Sequence, residues 1–223
     1  GSDGADTLNG GGGNDILDYN GGSQGNDTLN GGEGDDFIGS SGVDIIDGGA
    51  GFDVLSIAIS IAGDVNVSTA GMSTEAGVTL QNGSTVKNVE AVSVSTGSGN
   101  DTLTLTYLPP TVSGSPLAFR AGSGTDTLIA DFSAATIAIS LFPSAEFLVG
   151  HFNGFQLESV ERYNFTTGSG NDELRGAALN DTFNAGSGND TLDGKAGNDT
   201  LNGGDGNDTI TGGDGVDTIN GGD

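Results

Sequence analysis

Fourteen aspartates in this 223-residue chain share one setting: Asp6, Asp15, Asp27, Asp36, Asp44, Asp53, Asp101, Asp126, Asp172, Asp181, Asp190, Asp199, Asp208 and Asp217. Each is the sixth residue of a nine-residue phrase, G-G-x-G-x-D-x-U-x, where U is aliphatic or aromatic. Residues 167–220 write the phrase six times in succession: TGSGNDELR, GAALNDTFN, AGSGNDTLD, GKAGNDTLN, GGDGNDTIT and GGDGVDTIN. The glycines at positions one, two and four predict positive φ and a sharp turn. Such a turn exposes backbone carbonyls, and the aspartate adds a carboxylate at its end. Carbonyl and carboxylate oxygens together are the donor set of a hard cation such as Ca2+.

These donors need a scaffold. Positions six to eight predict a three-residue strand, with position eight pointing inward. That position holds Leu8, Leu17, Leu29, Ile38, Ile46, Leu55, Leu103, Leu128, Leu174, Phe183, Leu192, Leu201, Ile210 and Ile219. One turn and one strand cannot close a core, but two on opposite sides make one coil of a flattened solenoid. Stacked coils place turn over turn about 4.8 Å apart. The aspartates then form two columns per block: Asp172, Asp190 and Asp208 against Asp181, Asp199 and Asp217, with Asp6, Asp27 and Asp44 against Asp15, Asp36 and Asp53. Alternating carbonyl directions turn position-two and position-four oxygens toward one neighbour. In the two blocks these belong to Gly11, Gly13, Gly32, Gly34, Gly49, Gly51, Gly168, Gly170, Gly186, Gly188, Gly204, Gly206, Gly213 and Gly215. If neighbouring turns share each ion, six copies hold about four.

The nonapeptide resembles the repeats of the RTX (repeats-in-toxin) family of secreted bacterial proteins. The resemblance implies an all-β fold, a right-handed parallel β-roll, with several Ca2+ ions between successive turns. It further implies that the position-six aspartates and turn carbonyls are the ligands, and that export is by type I secretion.

Composition agrees with a cation-dependent fold. The net charge is −26, from 31 acids against Lys87, Arg120, Arg162, Arg175 and Lys195. Such a chain repels itself without counter-cations and offers no basic surface for nucleic acid. Forty-three glycines raise the entropy cost of folding, and a hydrophobic content of 33% offsets it poorly. Bound metal is expected to supply part of the folding free energy. Cysteine is absent, which excludes disulfides and thiolate zinc sites. No apolar run is long enough to predict a membrane-spanning helix.

Three regions are expected: a repeat block over 1–56, β-rich flanks over 57–166 with isolated repeats at 96–104 and 121–129, and a repeat block over 167–223, all one elongated solenoid. NVEAVSVSTGSGNDTL (88–103) matches SVERYNFTTGSGNDEL (159–174) at an offset of 71, so the flanks duplicate one unit. Six of the ten Phe, namely Phe132, Phe142, Phe147, Phe152, Phe155 and Phe165, lie in the second flank. They read as filling of a wider core; an exposed aromatic platform is the alternative.

His151 is the only histidine, which excludes a two-His metalloprotease helix and argues against a nucleophile–His triad. The repeated Asn-Asp-Thr is formally a glycosylation sequon, but the repeat accounts for it through an asparagine tolerating left-handed geometry at position five. The expectation is a non-enzymatic, calcium-binding module of a larger secreted or cell-surface polypeptide, ending within repeat register. The competing reading is a polysaccharide- or surface-binding module, signalled by an outward row of position-seven threonines (Thr102, Thr127, Thr191, Thr200, Thr209, Thr218). The parent could be a toxin, protease, lipase, adhesin or surface-layer protein.

Overall fold

The structure, a computed structural model, describes residues 4–17, 25–106, 117–144, 149–152 and 155–223. Among them there is no helix. The strands form a parallel β-roll whose two faces are joined by the glycine turns.

One face is an eleven-stranded sheet that runs from Ile16–Leu17 in the first block to Thr209–Asp214 in the last. The other face is made of two sheets. A five-stranded sheet begins with Thr7–Gly12, Thr28–Glu33 and Ile45–Ala50; a seven-stranded sheet begins at Asn66–Ser68 and ends at Thr218–Gly222. They are linked by a side chain where no strand pairs. Gln81 Oε1 accepts the Asn66 N–H at 2.7 Å, and its Nε2 donates to the Asp64 carbonyl at 2.9 Å.

Most repeat strands are longer than the predicted three residues, although Glu173–Arg175 is three. Thr28–Glu33, Thr182–Ser187 and Thr200–Asp205 each run from position seven of one copy through position three of the next. The reason is register: identical positions stack, Thr182 on Thr200 and Gly186 on Gly204, so the ladder continues into the glycines. Glycine at position two does not end the strand, because its missing Cβ lets the carbonyl of the coil below approach.

The core is the stack of position-eight side chains. Leu29, Ile38, Ile46, Leu55, Leu103, Leu128, Leu174, Phe183, Leu192 and Leu201 are all buried. Each contributes about 1.5–3 kcal/mol on burial. Leu8 and Ile210 are partly buried and Ile219 is exposed, because the terminal coils have one neighbour instead of two. Phe132 and Phe165 join this core edge to face, their centroids 6.0 Å apart, and Phe165 meets Phe183 at 6.5 Å. These two phenylalanines fill a wide core, as the sequence predicts.

The flank strands extend the same sheets: Ala91–Ser95 lies on Val54–Ala58, and Arg162–Thr166 lies on Thr127–Asp131. Two antiparallel pieces interrupt the pattern: the pair Val78–Thr79 and Thr85–Lys87 at the end of the five-stranded sheet, and a meander, Ser140–Ser144, Val149–Phe152 and Phe155–Glu158, inserted within the eleven-stranded sheet. Phe142, His151, Phe152 and Phe155 lie on its strands, and Phe147 lies outside the described residues.

Candidate metal centre

The position-six aspartates line the two edges of the roll in columns, in the pairing the spacing predicts. Along one edge the N–H of Asp15 donates to Asp36 Oδ1 at 2.8 Å, and that of Asp36 to Asp53 Oδ1 at 2.9 Å. In the last block the Asp172 N–H donates to Asp190 Oδ1 and the Asp190 N–H to Asp208 Oδ1, at 2.7 and 2.9 Å. The opposite edge carries Asp6, Asp27 and Asp44, then Asp101 and Asp126, then Asp181, Asp199 and Asp217, bonded in the same way. Each carboxylate with a coil before it thus spends Oδ1 on an amide of that coil.

Oδ2 is different. Among the described residues, the Oδ2 atoms of Asp15, Asp36, Asp53, Asp101, Asp126, Asp172, Asp190, Asp199 and Asp208 are buried and have no hydrogen-bond partner. A buried carboxylate oxygen without a donor costs several kcal/mol unless a cation meets it. Two columns repeat the same omission at step after step, so step after step presents an oxygen able to take a cation.

Backbone oxygens converge on the same turns. A Cβ at Gly51, Gly188, Gly206 or Gly215 would overlap the position-four carbonyl of the preceding coil; one at Gly32, Gly49, Gly186, Gly204 or Gly213 would overlap the position-two carbonyl. Position-two and position-four oxygens therefore both point toward the C-terminal neighbour. Gly11, Gly13, Gly32, Gly34, Gly49, Gly51, Gly186, Gly188, Gly204, Gly206, Gly213 and Gly215 all take positive φ. Gly168 and Gly170, at the entry to the last block, do not, although they lie equally close to the Ala135 and Ile137 carbonyls. Lys195 occupies position two of its copy at φ 75°, a strained conformation that its neighbours impose.

Where position one is glycine, it is so for another reason than left-handed φ, which it lacks; Thr167 and Ala185 hold the same place with a Cβ. A Cβ at Gly194 would overlap Asp199 Oδ2 and lie 2.5 Å from the Gly212 carbonyl oxygen. The first glycine is the cradle of its own copy's carboxylate. Gly194→Ala is expected to lower the melting temperature in saturating calcium, at about 1–3 kcal/mol. Gly12→Ala serves as comparison, since a Cβ there meets nothing within 4 Å. Equal melting temperatures for the two variants would refute the cradle.

Position five also departs from the sequence reading. No position-five asparagine is left-handed among the described residues. Instead its Oδ1 accepts the position-five amide of the next coil, as Asn180 does from Asn198 at 2.9 Å and Asn189 from Asn207 at 3.0 Å. This exposed amide ladder is a stacking interaction, legible only once the coil length is known.

Four of the five cations of the chain pair with acids outside the columns, while the charge of Arg162 acts on Asp181. Lys87 pairs with Asp47 at 2.7 Å, Arg120 with Glu158 at 3.0 Å, Arg175 with Glu173 at 3.2 Å and Lys195 with Asp193 at 2.6 Å, all near the surface. Burial, assisted by neighbouring acids, raises Asp53 and Asp126 to about 6 and Asp181 to about 7. Asp190 and Asp199 are raised for the same reasons. A carboxyl raised on folding favours the fold below its unfolded pKa, and that stability is lost as pH climbs through the folded value. Calcium-free protein should therefore gain β circular dichroism on going from pH 8 to about pH 4.5. A β signal that falls over this range would contradict the assignment.

Three position-six equivalents escape the motif. Glu90 Oε2 accepts the Asp53 N–H at 2.9 Å, and Ser84 Oγ accepts the Asp44 N–H at 3.0 Å. Glu161 Oε2 does the same for Asp126 at 2.8 Å. The only advance signal was the duplicated V-E at the offset noted above.

Among the described residues no three acidic, histidine or cysteine side chains gather at one point. Each step instead combines carboxylates one coil apart with carbonyls, an all-oxygen set that fits a hard, oxygen-seeking dication and suits a soft metal poorly. The comparisons with known proteins speak to the same chemistry. The family model for the RTX calcium-binding nonapeptide repeat matches residues 1–23, 21–55, 166–201 and 193–223. No curated protein and no solved structure matches the chain. The four matches cover half of the sequence and coincide with the two blocks of stacked aspartates, so the chain belongs to the family of RTX calcium-binding repeats.

Proposed function

We propose that this calcium-binding repeat protein is a folding switch: disordered where calcium is scarce, a rigid roll where it is abundant. The observation that carries the reading is the file of buried, partnerless Oδ2 atoms along both edges. In this reading each ion lies between successive turns of one column. It takes the position-six carboxylates of both coils and the forward-facing position-two and position-four carbonyls of the earlier one. Asp36 and Asp53, Asp172 and Asp190, and Asp181 and Asp199 are such pairs. The ion supplies positive charge where the carboxylates have none, and cross-links coil to coil.

The two repeat blocks and the flanks between them form one support within a larger polypeptide, exported by type I secretion and working outside the cell or on its surface. A calcium concentration gradient across the envelope would then set where it folds. A second reading, adhesion to a polysaccharide or a cell surface, draws on the threonine rows: half-buried Thr182 and exposed Thr200 and Thr218 stack in register on one face, exposed Thr191 and Thr209 on the other.

The test is metal counting on protein equilibrated with calcium and freed of excess ion. Sharing between turns gives about four ions for each six-copy block. One ion per copy would mean that single turns bind alone, and would remove the shared-ion ligand set.

A further inference from the structure

Seven asparagines are followed directly by glycine, and five of these pairs lie among the described residues: those at Asn9, Asn30, Asn82, Asn202 and Asn220. An Asn-Gly pair is chemically labile, because a glycine nitrogen with no Cβ beside it reaches the asparagine carboxamide unhindered. The nitrogen loses its proton and bonds to Cγ, ammonia leaves, and a succinimide ring closes. Water then opens the ring at either carbonyl. The product is aspartate, or isoaspartate with the main chain routed through the side-chain carbon. Water enters, ammonia departs, and nothing is oxidised or reduced.

The repeat places four of the five pairs where this reaction is blocked. Asn9, Asn30, Asn202 and Asn220 hold position nine, and the glycine after each is position one of the next copy. Each pair lies inside a strand: Thr7–Gly12, Thr28–Glu33, Thr200–Asp205 or Thr218–Gly222. Ring closure needs the asparagine ψ to swing the glycine nitrogen toward Cγ, and the extended ψ of a strand turns it away. Asn30 cannot relax alone, because it is in register with Asn9 on one side and Asp47 on the other. Asn202 is held likewise between Asn184 and Asn220, and its Oδ1 accepts from Asn220 Nδ2 at 2.9 Å. Gly31 and Gly203 are buried, each packed against the Oδ2 of its own copy's aspartate, Asp36 or Asp208, which keeps solvent base from their N–H groups. The pair at Asn82 lies in a turn outside the strands and is no part of this arrangement.

None of the protection is local. The strands exist because coils stack, and a chain released from the roll has a free ψ and a solvated glycine at every junction. The damage then falls on the stack. An aspartate in place of Asn30 would face Asp47 on the adjacent strand, like charge against like. An isoaspartate adds a methylene to the main chain just before the glycine that cradles Asp36 or Asp208.

We infer that Asn30 and Asn202 are sites of spontaneous deamidation that open when the roll is lost, and that each conversion raises the calcium needed to refold. The molecule thereby carries a covalent record of the time it spends without calcium. The inference rests on the folding-switch reading above for its trigger, while its chemistry depends only on the strands.

The experiment incubates the full chain at mildly alkaline pH in saturating calcium and in excess EDTA, with peptide mass mapping at intervals and circular dichroism on the same samples. Asn30 and Asn202 should convert at least about tenfold faster in EDTA, since a reaction that needs an open chain tracks the open population. Asn184 is the internal reference: it stacks on Asn202 in the same row but precedes Ala185, and it should stay amide in both samples. Aged chain returned to calcium should need more of it than fresh chain to regain β signal. Equal conversion of Asn30 and Asn202 in calcium and in EDTA, with the EDTA sample disordered, overturns the inference alone. Conversion of Asn184 as fast as Asn202 overturns the assignment to the Asn-Gly junction. A chain still β in EDTA overturns the folding-switch reading; urea then decides the inference, which falls if the two asparagines convert no faster in urea than in the roll. Identical calcium midpoints for aged and fresh chain overturn its second half.

Discussion

Chelation of calcium should unfold the chain. In excess EDTA at neutral pH, circular dichroism is expected to show coil, and millimolar Ca2+ to restore β signal together with a fall in hydrodynamic radius. The cause lies in the columns. With a net charge of −26 and buried carboxylates stacked coil on coil, the metal-free roll sets like charges against one another in a poorly solvated place. A ligand at 100 times its dissociation constant stabilises the folded state by about 2.7 kcal/mol per site. Several sites therefore outweigh the ordinary stability of a domain, about 5–15 kcal/mol. Mg2+ should restore little, because it dehydrates reluctantly and demands a tight octahedron that stacked carbonyls do not form. A chain fully β in chelator at pH 8 would sink the switch.

The second large effect concerns position within a column. Asp190→Ala should raise the calcium midpoint of folding well beyond Asp217→Ala. Asp190 accepts the Asp172 amide, donates its own N–H to Asp208, and keeps a buried, partnerless Oδ2, so it serves the steps on both sides. Asp217 accepts only the Asp199 amide, at 3.0 Å, and stands half-exposed on the last coil. Loss of a buried acceptor costs about 1–3 kcal/mol by itself, and at Asp190 the ions above and below lose a ligand as well. Nearest-neighbour coupling transmits that loss along the stack. Calcium titrations of the two variants followed by circular dichroism are the check, and equal midpoints would exclude ions shared between coils.

Much of this was legible from spacing. The fixed two-residue interval from aspartate to aliphatic predicts both the inward stack and the edge columns, because strand alternation leaves little choice. The partners of Asp172, Asp181 and their successors followed from two copies per coil. What stayed hidden depends on contacts between coils. Position-one glycine reads as a turn residue, but its role is to leave room for an oxygen five residues later. Position-five asparagine reads as left-handed, whereas its side chain caps an amide 18 residues away. Ser84, Glu90 and Glu161 carry no glycine signature, because their turns are built from left-handed Asn88 and Ser159 or from other loops. The meander at Ser140–Glu158 carries a weak alternation that fits parallel or antiparallel pairing equally, so its direction was not readable.

One bond recurs throughout the roll while the chain between its partners varies. The carboxylate–amide link joins residues 21 apart at Asp6 and Asp27, 17 apart at Asp27 and Asp44, 18 apart at Asp181 and Asp199, and 25 apart at Asp101 and Asp126. With glutamate it spans 37 between Asp53 and Glu90. The rungs are fixed and the chain paid out between them is elastic in length. Added chain between rungs leaves the carboxylate–amide files in line, and in the first flank it joins the core, burying Val65, Val67, Met72 and Leu80. A gene of this kind lengthens by copying a coil and diversifies by lengthening one, and neither change asks the rest of the molecule to repack. The same tolerance makes the stretches between rungs natural entry points for a foreign loop.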